Sequence, residues 1–203
     1  AVAIGYQAGK TLQSLSGVAI GRGTGQTSQG DYAVAIGHTS GATSQGNQSV
    51  AIGTLAGYTS QGGSSVAIGS PAGKTSQGTN AVAIGNNAGG TTQGNGSVGV
   101  GYYAGGTSQG TYSVAVGYQA ATNDQGLQAV AIGSSSGRLQ QALYGIAIGA
   151  NAAEFSQATK SIAIGPIAGR YTQSTGAIAI GENAGTGSAT VGDVQGVNSI
   201  AIG

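Results

Sequence analysis

The chain has no cysteine, no methionine and no tryptophan, and only one histidine, one phenylalanine and two prolines in 203 residues. Without cysteine, disulfides and thiolate metal sites are excluded. With His38 as the single imidazole, a serine triad would have to be built around one exposed turn residue. Charge is scarce. Six Lys and Arg stand against five Asp and Glu, 5% of the chain, where a soluble domain carries about 25%. The cations are dispersed, and no basic stripe suits nucleic acid. The carboxylates Asp31, Asp124, Glu154, Glu182 and Asp193 are scattered too. No apolar run approaches membrane-spanning length, and no signal peptide is visible. These absences argue against an enzyme: no catalytic residue, cofactor or metal ligand is assigned.

What is present is glycine, 42 residues of it, and a period. Val2-Ala3-Ile4-Gly5 returns as Val18 to Gly21, Val34 to Gly37, Val50 to Gly53, and so on to Ile178 to Gly181 and Ile200 to Gly203. The closing glycines from 5 to 181 lie sixteen apart, and the last step, to 203, is six longer. A fixed period of this kind means a stacked repeat. The reading is one array over 1–203, about thirteen 16-residue coils, with a six-residue insertion within 182–194 that loops out as an enlarged turn. Because the chain opens and closes on repeat units, it reads as a segment of a longer fibrous protein.

In register, the consensus is a small residue, Val-Ala-Ile-Gly, two variable residues, Ala-Gly, one variable, Thr-Ser-Gln-Gly, and two variable. Glycine at this density disfavours helix by roughly 1 kcal/mol each. Val-Ala-Ile is β-branched at alternate positions and suits a short strand, with Val and Ile on one face and Ala on the other. Thr-Ser-Gln offers a second strand with Thr and Gln on one face. Glycines allow the bends that close a coil. The fold class is therefore all-β, a solenoid or parallel β-roll. Val and Ile are expected inside as an aliphatic spine, leaving the small alanine face outward for close approach of another chain. Glutamine recurs from Gln13 to Gln195 as either an amide ladder or an exposed column, and its invariance favours the ladder. In the C-terminal third Leu139, Phe155 and Tyr171 replace threonine in one column and are expected to stack on one another or on a neighbouring chain.

The variable columns hold nearly all the charge and are the expected surface. Tyr6, Arg22, His38, Tyr102, Tyr103 and Tyr118 share one corner of successive coils. Tyr and Arg are favoured contact residues, so this corner is the candidate attachment surface. A second variable column holds Lys10, Tyr58, Lys74, Arg138, Glu154 and Arg170, and a third pair includes Asp31-Tyr32 and Thr111-Tyr112.

Ser49-Val50-Ala51-Ile52-Gly53 with Ala56-Gly57, and Ser65 to Gly69 with Ala72-Gly73, resemble the head repeats of trimeric autotransporter adhesins, the YadA-like heads. The resemblance implies a left-handed roll, three chains side by side as a homotrimer, and a place outside the cell, on a cell or virion surface. It carries no ligand-binding residue to this chain. The function it implies is a rigid, non-enzymatic fibre or adhesin head whose turns meet a host-cell surface or matrix ligand. A viral or phage fibre shaft acting as spacer is the alternative reading, and an ice-binding solenoid, suggested by the Thr column, is a third. Gly69-Ser-Pro-Ala-Gly73-Lys74-Thr75 looks like a phosphate loop but is one residue short and falls on the repeat consensus.

Overall fold

The computed structural model describes residues 1–187 and 195–203. The insertion predicted within 182–194 falls largely on 188–194, outside the described residues. The rest is a parallel β-solenoid without helix among the described residues.

The Val-Ala-Ile segments, from Val2–Ile4 to Ile200–Ile202, form one 13-stranded sheet in chain order. Every pair is parallel and in register. Val50 faces Val66 and Ile52 faces Ile68, for example, and the last step pairs Ile178 with Ile200. A second sheet uses only Ser-Gln or its equivalents, such as Ser60–Gln61 and Ser76–Gln77. It runs as six strands and then three, joined through bridges at Gln125. Threonine stands outside this strand. Thr27, Thr43 and Thr91 are exposed while Gln29, Gln45 and Gln93 are buried, so Thr and Gln do not share a face.

The strand faces are the reverse of the expected ones. Alanine points inward: Ala19, Ala35, Ala51, Ala67 and Ala83 are fully buried. Val and Ile point outward. Ile68, Ile84, Ile132 and Ile164 are between 36% and 39% exposed. The reason is the width of the coil. Its interior already holds the glutamine side chain and the second alanine column, as in the Ala51, Ala56, Ala67, Ala72, Ala83 and Ala88 cluster. A Cβ placed on Gly57 would lie 2.7 Å from Gln61 Oε1 and 3.3 Å from Ala51 Cβ. No room remains for a branched side chain. Judging the inner face by bulk alone inverted it.

Glutamine is the inner scaffold. The Gln61 Nε2 donates to Val50 O at 2.7 Å, and Gln29 Nε2 to Val18 O at 2.7 Å and Ala33 O at 3.2 Å. Each side chain thus ties the second sheet to the strand of the first. The amide ladder also exists, over part of the rod. Gln125 donates to Gln141, Gln141 to Gln157, Gln157 to Gln173 and Gln173 to Gln195, at 3.0–3.2 Å. Towards the N-terminus Gln93 to Gln109 is a further rung, while the buried Oε1 atoms of Gln29, Gln45, Gln61 and Gln77 accept no hydrogen bond.

Candidate attachment surfaces

Three corners join the two strand types. The first follows the Val-Ala-Ile strand. Its bend is made by the sixteen-spaced glycine; Gly53 has φ 126° and a Cβ there would sit 2.5 Å from Gly69 O. Two turn residues follow, the second left-handed: Gln7 has φ 58°, Tyr103 55° and Gln119 56°. That residue's N–H donates to the carbonyl of the first turn residue one coil earlier. Tyr103 N–H bonds Asn86 O at 2.9 Å, Gln119 bonds Tyr102 O at 2.8 Å and Ser135 bonds Tyr118 O at 2.8 Å. The corner is therefore a hydrogen-bonded column rather than a set of loose loops. Pro71 interrupts it, because proline has no N–H to give Thr54.

All six predicted surface residues stand in this corner. Tyr6, Tyr102 and Tyr118 are exposed, as are Arg22 and His38, and Tyr103 is half-buried. They form two groups. Tyr6, Arg22 and His38 occupy the first three coils. Tyr102, Tyr103 and Tyr118 cluster four coils further on, beyond Thr54, Ser70 and Asn86. Tyr102 stacks on Tyr118 with centroids 5.3 Å apart and planes 8° apart, and meets Tyr103 edge-on at 4.7 Å. The distance from His38 to Tyr102 is four strand spacings, about 19 Å.

The second corner carries a cluster that the sequence reading placed in one column without pairing its members. Glu154 is 6% exposed. Its Oε1 accepts from Arg138 Nε at 3.2 Å and Nη2 at 3.0 Å, and its Oε2 from Arg170 Nε at 2.8 Å and Asn151 Nδ2 at 3.0 Å. Burial opposes the charge of Glu154. The hydrogen bonds from Asn151, Arg170 and Arg138, with the Arg170 charge, outweigh it and hold the carboxyl below the usual carboxylate range. Phe155 and Tyr171 stack at 5.3 Å, as expected for that column, and the Arg170 guanidinium lies 5.7 Å and 5.3 Å from their centroids. The signal in the sequence was Arg, Glu, Arg at sixteen-residue steps, which opposes charges on adjacent coils.

The third corner precedes the Val-Ala-Ile strand and is left-handed at Tyr32, Tyr112 and Tyr144, with φ 57°, 56° and 59°. The sequence names Tyr32 and Tyr112 in this pair of columns, but the full extent of its apolar content emerges only here. Leu15, Tyr32, Tyr112, Leu127, Leu143 and Tyr144 are all exposed. Their scatter among Asn and Thr in the same columns hid the others. Among the described residues, no three of His, Cys, Asp and Glu gather to hold a metal, and no helix is long and apolar enough to cross a membrane.

A family model described as the YadA head domain repeat matches residues 28–56, 75–89 and 108–136. YadA head repeats are thus detected in these three segments of the chain, which include both strand types and all three corners. No curated protein matches. No solved structure matches either.

Proposed function

We propose that this chain is a rigid, non-enzymatic segment of a trimeric, adhesin-like fibre on a cell surface, displaying variable turn residues for attachment. The observation that carries this reading is the outer face of the 13-stranded sheet. Its two aliphatic columns, Val and Ile, run the whole array and stay half-buried or exposed in a single chain. At twelve steps of about 4.8 Å the strip is roughly 58 Å long. An uncovered apolar strip of that length marks an interaction surface, and a second copy offers the same strip at the same spacing. Val and Ile, rather than alanine, are then placed near the shared axis.

The head repeats support a structural role and exposure at a surface, since they belong to a family of structural adhesins. On a trimer every turn residue appears three times per coil, so weak contacts can sum by avidity. Light scattering of the folded segment tests assembly. A trimer mass is expected, and Ile84→Asp with Ile132→Asp should give a smaller species that keeps its β-sheet circular dichroism. A parent that is a stable folded monomer overturns the reading. Attachment is tested by binding of the trimer to cells or matrix. A trimer that attaches to neither would instead be a spacer, as in a fibre shaft.

A further inference from the structure

The first and third corners line the two long sides of the Val/Ile face. The first is reached through one glycine after each strand, the third through one buried small residue before it. When three copies turn this face to a common axis, the first corner of one copy meets the third corner of the next. A rotation axis parallel to the rod adds no translation, so the meeting residues belong to the same coil. Rotational closure makes the contact heterologous and repeats it three times.

The two corners match coil by coil. In the second coil the first corner presents Arg22 and the third presents Asp31. Arg22 is exposed and Asp31 half-exposed. Among the described residues both ion pairs are at Glu154, so neither Arg22 nor Asp31 has an ionic partner among those residues. Asp31 Oδ1 accepts from Leu15 N–H at 3.2 Å, which fixes the carboxylate at the corner. Two largely apolar groups also share a level. Tyr103 stands nine residues before Tyr112, and Tyr118 nine before Leu127, as Arg22 stands nine before Asp31. Each pair is level to within one strand spacing, about 4.8 Å. Leu143 and Tyr144 extend the apolar side one coil on. Charge meets opposite charge, and rings meet apolar side chains, on two surfaces that do not touch within one chain.

We propose that these corners form an in-register seam between copies, with Arg22 of one copy paired to Asp31 of the next and the Tyr102, Tyr103 and Tyr118 cluster packed on the next copy's Tyr112 and Leu127. This rests on the trimer reading. The partner of the first corner is then a second copy of this chain, and attachment falls to the outward second corner. The seam also sets axial register, which the uniform Val/Ile columns leave open to slips of whole coils.

The absence of native cysteine makes the test direct. Within one chain Arg22 follows the strand Val18–Ile20 and Asp31 precedes the next one, Val34–Ile36, so the two stand on opposite sides of the sheet, about 10 Å or more apart, beyond disulfide reach. Arg22→Cys with Asp31→Cys should oxidise to a covalent trimer on a non-reducing denaturing gel and return to monomer with reductant. Arg22→Cys with Asn47→Cys, one coil out of register, should not. Tyr118→Cys with Leu127→Cys repeats the test at the aromatic level, should the first pair disturb folding. Light scattering is run on all three. A trimer mass with no cross-link in the two in-register pairs, or with a stronger one in the shifted pair, overturns the seam and leaves the trimer standing. A monomer mass for the folded parent removes both.

Discussion

At the residue scale the fold is governed by how little space each position leaves. The sixteen-spaced glycine is set by backbone geometry and by a neighbour. Gly53 combines φ 126° with a carbonyl oxygen 2.5 Å from where a Cβ would stand. Gly53→Ala should therefore lower stability by at least about 1–3 kcal/mol from backbone strain alone, read as a drop in melting temperature against the parent. Glu154 is constrained by charge. Its folded pKa is held below the ordinary value of 4.5, so it contributes stability that is fully present above 4.5 and is lost as pH falls through the folded value. Glu154→Gln should cost about 1.5–3 kcal/mol at neutral pH, the range of a hydrogen bond to a charged group. The difference between parent and variant in denaturant melts should shrink as pH drops below 4.5. A difference that is constant from pH 7 to pH 3 would show that the Arg138 and Arg170 contacts are not ionic in effect.

At the scale of the strand and its partner, the inner glutamine holds the two sheets together. Gln141 Nε2 donates to Val130 O at 2.7 Å and Gly145 O at 3.1 Å, and reaches Gln157 Oε1 at 3.0 Å. Gln141→Leu keeps the volume and removes the donors, leaving buried acceptors unpaired at about 1–3 kcal/mol each. The expected result is a lower denaturation midpoint, with protection from amide exchange lost first in the coils around 141. This element also shows how far the sequence could be read. Period, strand identity, parallel register and the glutamine column follow from spacing, because identical residues sixteen apart can stack only one way. The inner face did not follow. Alternation says that Val and Ile share a face, but which face is inside depends on what already fills the coil, and that is the side chain of Gln61 or Gln77 arriving from the other sheet. The corner carrying Tyr102, Tyr103 and Tyr118 was legible as a column. Its split into two groups was legible too, from the coil numbers. The Arg138, Glu154 and Arg170 cluster needed only the step of reading a column vertically, as charge over charge.

At the scale of the whole molecule the chain is a one-dimensional stack, in which each coil touches its neighbours and sets their level. Such an array tolerates the loss of a whole unit and not of a fraction. Removing residues 65–80 takes out one coil, including Pro71, and brings Asn87 onto Thr54 with an N–H available for that carbonyl. Every sixteen-residue register downstream is preserved. In the proposed trimer all copies are shortened alike, so corners that meet between copies would keep their level as well. The expected product is a cooperative trimer with a melt close to the parent's, shorter by one strand spacing, about 4.8 Å. Removing residues 69–76 instead deletes half a coil. The alanine strand before the cut would then have to close with Gln77 and no corner between them, and Gly69, whose bend turns the chain, would be lost. That variant should unfold or assemble without a sharp transition. Circular dichroism melts and light scattering on the two deletions decide the matter: equal behaviour would mean that the coils are not the independent stacking units on which the fold, the Val/Ile face and the seam all depend.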